Sequence, residues 1–151
     1  MKFGILLANV LGFPMLQLTV AWIFVRLPDS IFARPGSAVS PTEAHFYRDV
    51  ARIRQWKRLL PSGGRWVGST FTYETALLAG SPGRRRFLLE TRRSEAAHWT
   101  SVLATSVFLL WNPPWAGAVM LAAGAIFNVP CLVVQRYNRA ALQRGLCRRS
   151  E

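Results

Sequence analysis

The sequence predicts an all-α integral membrane protein, with three transmembrane helices plus a basic amphipathic interfacial helix, forming a single membrane domain over residues 1–151. Three observations carry this. Uncharged runs occupy residues 3–25, 99–111 and 115–134, and the middle one is extended by Ala96 and Ala97. The breaker Asn112-Pro113-Pro114 separates the last two runs, so they should form a hairpin. The chain also carries nineteen Lys and Arg against seven Asp and Glu, a net charge of +12, and the excess is placed as a membrane topology would place it.

Residues 3–25 hold 23 positions without a charge, which at 1.5 Å per residue spans a hydrocarbon core of roughly 30 Å. Asn9 and Gln17 lie eight residues apart on one face, with Pro14 between them. Amides in lipid prefer protein partners, so this face should pack on the other two helices. Lys2 before an apolar run also fits a cleaved signal peptide. The length of the run, its lack of an Ala-x-Ala site and its end at Arg26 favour an anchor.

Residues 26–95 form the cytoplasmic interfacial region. Arg26-Leu27-Pro28-Asp29 ends the first span, and Arg34-Pro35-Gly36-Ser37 continues as loop. Ser40-Pro41-Thr42-Glu43 is a capping box with proline at the first helical position, so a helix should run from 41 to about 60. Phe46, Val50, Ile53, Trp56 and Leu60 make its apolar stripe, while Arg48, Arg52, Arg54, Lys57 and Arg58 crowd the remainder. Such a helix lies in a membrane surface or packs on the protein itself. His45 sits four residues before Asp49 and is a second candidate base. Pro61-Ser62-Gly63-Gly64 breaks the helix, residues 67–73 are strand-like, and Gly80-Ser81-Pro82-Gly83 reads as a turn. The arginines at 84, 85 and 86 suit lipid headgroups or the phosphates of a coenzyme A thioester.

Residues 87–111 read as one helix passing from a polar surface into lipid; the predicted span is 96–111. Its polar half holds Glu90, Arg92, Arg93, Glu95 and His98. Residues three and four apart share a helical face, so Glu95 and His98 should be neighbours. A carboxylate beside an imidazole fixes its tautomer and raises its basicity, as wanted for drawing a proton off a hydroxyl. A solvated helix start laced with surface ion pairs has the same spacing.

The third span, 115–134, carries Asn128 and Pro130 and leads into a basic tail over 135–151. Asn128, Gln135 and Arg139 share one face. If the hairpin closes, Gln135, Arg136, Tyr137, Asn138 and Arg139 arrive near residues 90–98. Eighteen of the nineteen basic residues then fall on one side, which places the N-terminus outside and the C-terminus in the cytoplasm of a multi-pass cell-membrane protein. Topology thus accounts for the positive charge without nucleic acid. Cys131 and Cys147 give neither a disulfide framework nor a zinc site.

At this point the sequence resembles a known family. The run Glu90-Thr91-Arg92-Arg93-Ser94-Glu95-Ala96-Ala97-His98-Trp99, then Asn128-Val129-Pro130 and Gln135-Arg136-Tyr137-Asn138-Arg139, is similar to the glycosyl-4,4'-diaponeurosporenoate acyltransferases of bacterial carotenoid synthesis. Arg26-Leu27-Pro28-Asp29, Phe32 and Trp56-Lys57 look similar too, in the same order. The likeness departs at Ala140-Ala141, where a second arginine is usual, and over residues 61–83. The resemblance implies an integral membrane enzyme that moves a fatty acyl group to a sugar hydroxyl of a glycosylated carotenoid or related glycolipid.

The expected machinery is then His98 as general base, oriented by Glu95 or Glu90, with Asn128 or Gln135 donating to the oxyanion. Arg92, Arg93, Arg136, Tyr137, Asn138 and Arg139, with the arginines at 84–86, would hold the donor's phosphates or a headgroup. The acyl chain would lie between the spans. The partners implied are membrane lipid, a fatty acyl donor such as an acyl-CoA thioester, and a lipid-linked acceptor; no metal or redox cofactor is called for. The competing expectation is a non-enzymatic adaptor whose basic face binds anionic lipid or an acidic protein.

Overall fold

The computed structural model describes residues 3–33, 39–60 and 80–147, and every regular element among them is helical. Helix α1 runs Phe3–Arg26 and is followed by a 3-10 turn at Asp29–Ile31. The short helix α2, Pro41–His45, continues through a π turn at Phe46–Val50; α3, Ile53–Trp56, is extended by a 3-10 turn at Lys57–Leu59. Helix α4 runs Gly80–Ala104 and tightens into a 3-10 segment over Thr105–Leu110 before α5, Pro114–Cys147. The strand-like residues 67–73 lie outside the described residues.

Helices α4 and α5 form the expected hairpin, with α1 packed along it. At its closed end, Asn9 of α1 meets the turn. Asn9 Nδ2 donates to Asn112 Oδ1 at 2.7 Å, and Asn9 Oδ1 accepts from Asn112 Nδ2 at 2.9 Å and Trp111 Nε1 at 3.0 Å. The other amide of that face, Gln17, also bonds to the hairpin. Small residues set the spacing along the seam. A Cβ at Gly124 would stand 2.6 Å from Thr105 Oγ1 and 3.0 Å from its Cβ and Cγ2. Thr105 is fully buried and its hydroxyl is tied to the Ser101 carbonyl at 2.8 Å, so it has nowhere to retreat. Gly124→Ala should therefore push α4 and α5 apart at a cost of about 1–3 kcal/mol, the usual scale of overpacking. Thermal unfolding in detergent reads this, and an unchanged midpoint would contradict the tight seam.

Three sequence expectations change. Two described helices are long and apolar enough to cross a membrane, Phe3–Arg26 and Pro114–Gln143, rather than three. The predicted span 96–111 is instead the end of a largely polar helix joined to the 3-10 segment. Its six 3-10 residues rise about 2.0 Å each instead of 1.5 Å, so this limb reaches about 3 Å further than an α-helix would. Second, the predicted turn at residues 80–83 is the first turn of α4, where a proline is tolerated because its missing N–H has no helical partner.

Third, the helix expected over 41–60 begins as predicted, with Ser40 Oγ accepting from the Glu43 N–H at 3.1 Å, but it breaks at Arg52, whose φ is 45°. The chain buries Ala44, Tyr47 and Ile53, while Phe46 and Val50 of the predicted stripe stay 50% and 64% exposed. Tyr47 and Ile53 are six residues apart, about 120° away from sharing a face of a straight helix. Burying both requires the break.

Candidate active site

The polar half of α4 reaches His98 just before its apolar end, opposite Asn128 of α5. His98 Nδ1 lies 2.8 Å from Asn128 Oδ1. Asn128 Nδ2 donates to the Gly124 carbonyl at 2.8 Å and to Gln17 Oε1 of α1 at 3.2 Å. A backbone carbonyl only accepts, so Gly124 fixes which end of the Asn128 amide is nitrogen. Its oxygen therefore faces the imidazole as an acceptor, which puts the ring hydrogen on Nδ1 and leaves the lone pair on Nε2. That is the tautomer of a neutral base ready to take a proton. All three long helices contribute one residue to this chain of bonds.

Beyond His98, ion pairs join α4 to everything around it. Glu95 accepts from Arg136 Nε at 2.8 Å and from Arg139, both on α5. Arg136 also reaches Glu43 of α2 at 3.1 Å, and the Tyr47 hydroxyl donates to the same Glu43 oxygen at 2.5 Å. Burial raises the Glu95 carboxyl, but the hydrogen bonds and charges of Arg136 and Arg139 outweigh it and hold it below the ordinary range. Burial, then the bond to Glu43, pushes the Tyr47 phenol up. A second cluster docks the end of α1: Asp29 pairs with Arg93 and Arg86, and Glu90 binds Arg93 and Arg86 at 2.8 Å each. Arg93 also donates to the Leu27 carbonyl, and Arg92 to that of Phe32, both at 3.3 Å. The Arg93 bond, the largest influence, holds the Asp29 carboxyl low.

The predicted residues thus converge, with different partners. Neither Glu90 nor Glu95 pairs with His98 among the described residues; permanent guanidinium charges outcompete a neutral imidazole for a carboxylate. Asn128 takes over the orienting contact. Both hydrogens of its amide are already used, so it has none left for an oxyanion. Gln135 is half-buried and makes no hydrogen bond to a described residue. Asn138 accepts from Lys57 Nζ at 3.3 Å, and the same ammonium stands 5.1 Å from the Tyr137 ring. Arg84 and Arg85 carry no ion pair among the described residues, while Arg86 is engaged with Asp29. His45 is exposed, 3.2 Å from Asp49. Sequence reasoning missed Gln17 as a member of the site, and Asp29, Glu43 and Lys57 as its supports. With seven acids among nineteen bases, an Arg-Leu-Pro-Asp run and a capping-box Glu were the available signals.

An apolar cleft of about 320 Å³ opens between α1 and the first half of α5, walled by Leu6, Val10, Phe13, Trp115, Val119 and Phe127. Phe127 precedes Asn128, Phe13 lies one turn from Gln17, and the two rings touch with centroids 5.7 Å apart.

The family model described as glycosyl-4,4'-diaponeurosporenoate acyltransferase matches residues 28–148. Relatives of that name from Staphylococcus aureus are similar over 134 residues. The protein of the bovine strain RF122 / ET3-1 is 28% identical, and that of strain USA300 is 27% identical, each alignment covering 86% of this chain and 81% of the relative. No solved structure matches. The match takes in the docked Asp29, the helix carrying His98 and the whole of α5, and it sets aside the adaptor reading: the chain belongs to the glycosyl-4,4'-diaponeurosporenoate acyltransferase family and is an acyltransferase.

Proposed function

We propose that the chain is a membrane O-acyltransferase that moves a fatty acyl group from a thioester donor to a hydroxyl of a lipid-linked acceptor, the sugar of a glycosylated carotenoid or related glycolipid, with His98 as general base. The observation that carries this is the His98–Asn128 bond, which leaves Nε2 as the free basic nitrogen of the ring. In the reaction, Nε2 takes the hydroxyl proton as the acceptor oxygen attacks the acyl carbon. The tetrahedral intermediate collapses, the C–S bond breaks, and the imidazolium returns its proton to the departing thiolate. The acyl chain lies in the cleft. No metal or redox cofactor enters these steps.

In this reading α1 and α5 lie across the membrane, with the N-terminus outside and the C-terminus in the cytoplasm. Supporting it, α1 and α5 expose Leu7, Leu11, Trp22, Val119, Ile126 and Phe127, more apolar surface than an aqueous protein usually shows. Phe46, Val50 and Leu59 are likewise exposed among arginines, which suits an interfacial segment. Arg84 and Arg85, without an ion pair among the described residues, would meet donor phosphates or headgroups in this reading. The test is acyl transfer in membranes containing the protein, given a radiolabelled acyl-CoA and a glycosylated carotenoid acid. Labelled ester is expected; label that never leaves the thioester, with this acceptor and with extracted glycolipids, would refute the proposal.

A further inference from the structure

The bonds that join His98, Asn128 and Gln17 end in a buried polar group without a partner. Gln17 accepts from Asn128 through Oε1, yet its Nε2 is buried and has no hydrogen-bond partner. Buried polar atoms are seldom left so. The other four such atoms among the described residues are arginine Nε atoms, whereas Gln17 offers a whole NH2 group. It also stands beside Asn128, whose two amide hydrogens are both engaged and unavailable to developing negative charge.

We propose that Gln17 Nε2 is the donor that receives the acyl carbonyl oxygen and stabilises the oxyanion. The inference rests on His98 being the base. As the acceptor oxygen bonds to the acyl carbon, the carbonyl π pair moves onto oxygen, and the hydroxyl proton moves to His98 Nε2. The imidazolium then donates more strongly from Nδ1 to Asn128 Oδ1. That polarises the Asn128 amide against Gln17 Oε1, and through it sharpens the Gln17 N–H as a donor. Positive charge at one end of the relay and negative charge at the other appear in the same step. A donor shielded from water suits this task, because an oxyanion bond is worth most in a dry site.

The test uses the full chain in membranes, with Gln17→Met, close in size but without a donor, and Gln17→Asn, which keeps the amide and withdraws it by one methylene. Gln17→Met is expected to lower kcat about 100-fold. The KM for acyl-CoA and the pH–rate profile should be unchanged, with Gln17→Asn falling between. Inhibition by a trifluoromethyl ketone bearing the acyl chain, which mimics the tetrahedral oxyanion, should weaken by the same factor. A Gln17→Met enzyme with wild-type kcat, beside an inactive His98→Gln enzyme, overturns this inference alone. A shifted pH profile whose new optimum restores kcat overturns it too, since Gln17 would then act only by positioning the histidine. Activity in both variants overturns the base assignment beneath it. Should Gln17→Met fail to fold, the kcat of Gln17→Asn and its inhibitor affinity give the same decision.

Discussion

His98→Ala and His98→Gln should each lose on the order of 100-fold or more in acyl transfer, the scale that general-base catalysis contributes. The glutamine variant separates chemistry from architecture. Its side-chain amide can still donate to Asn128 Oδ1, so the three-helix contact survives while the basic nitrogen disappears. His98→Gln should keep the wild-type circular dichroism and a similar unfolding midpoint, because the hydrogen bond to Asn128 is retained. Initial rates in membranes, normalised to protein, are the measurement. A folded His98→Gln enzyme running near the wild-type rate would end the assignment and turn attention to His45, exposed beside Asp49 on α2.

Glu95→Gln should be the most destabilising single change to the ion-pair network. Glu95 is 13% exposed and faces Arg139, 10% exposed, as well as Arg136. Removing its charge leaves a shielded guanidinium without a counter-ion, a loss of about 3 kcal/mol where a buried pair is broken. It also severs the path from α4 through Arg136 to Glu43 and Tyr47, so the 41–60 segment should loosen and become more sensitive to protease. The carboxyl is held below its ordinary 4.5 in the fold. Its stabilisation is therefore complete above about pH 4.5 and lost as pH falls through the lower folded value. Unfolding midpoints at neutral pH and in the acid range give the check. The wild type should lose more stability than Glu95→Gln on acidification, and parallel slopes would show that the pair contributes little.

The large outline was legible because it rests on local rules. Asn112-Pro113-Pro114 can only be a break, Ser40 caps the helix it precedes, and Asn9 and Gln17 share the face that meets the hairpin. What was not legible depends on partners far away in the chain. Spacing put Glu95 beside His98 correctly, but arginines more than forty residues later claim the carboxylate. Periodicity chose Phe46 over Tyr47 for the buried face, whereas Tyr47 is buried with its hydroxyl donating to Glu43, which also accepts from Arg136. Hydropathy counted 99–111 as a span of its own, whereas these residues are the end of a largely polar helix that tightens into a 3-10 segment at Thr105–Leu110. Gln17 was indistinguishable from an ordinary interhelical amide until its second hydrogen-bonding end proved empty.

The relay from Gln17 through Asn128 to His98 draws one residue from each long helix, separated by 111 and 30 positions in the chain. Chemistry is thereby tied to completion of assembly. During synthesis the first helix emerges long before the last, and the half-built protein has no oriented imidazole. In the proposed mechanism the ring acquires its working tautomer only when the final helix closes the bundle, so a nascent or misassembled chain would be chemically silent toward surrounding hydroxyls.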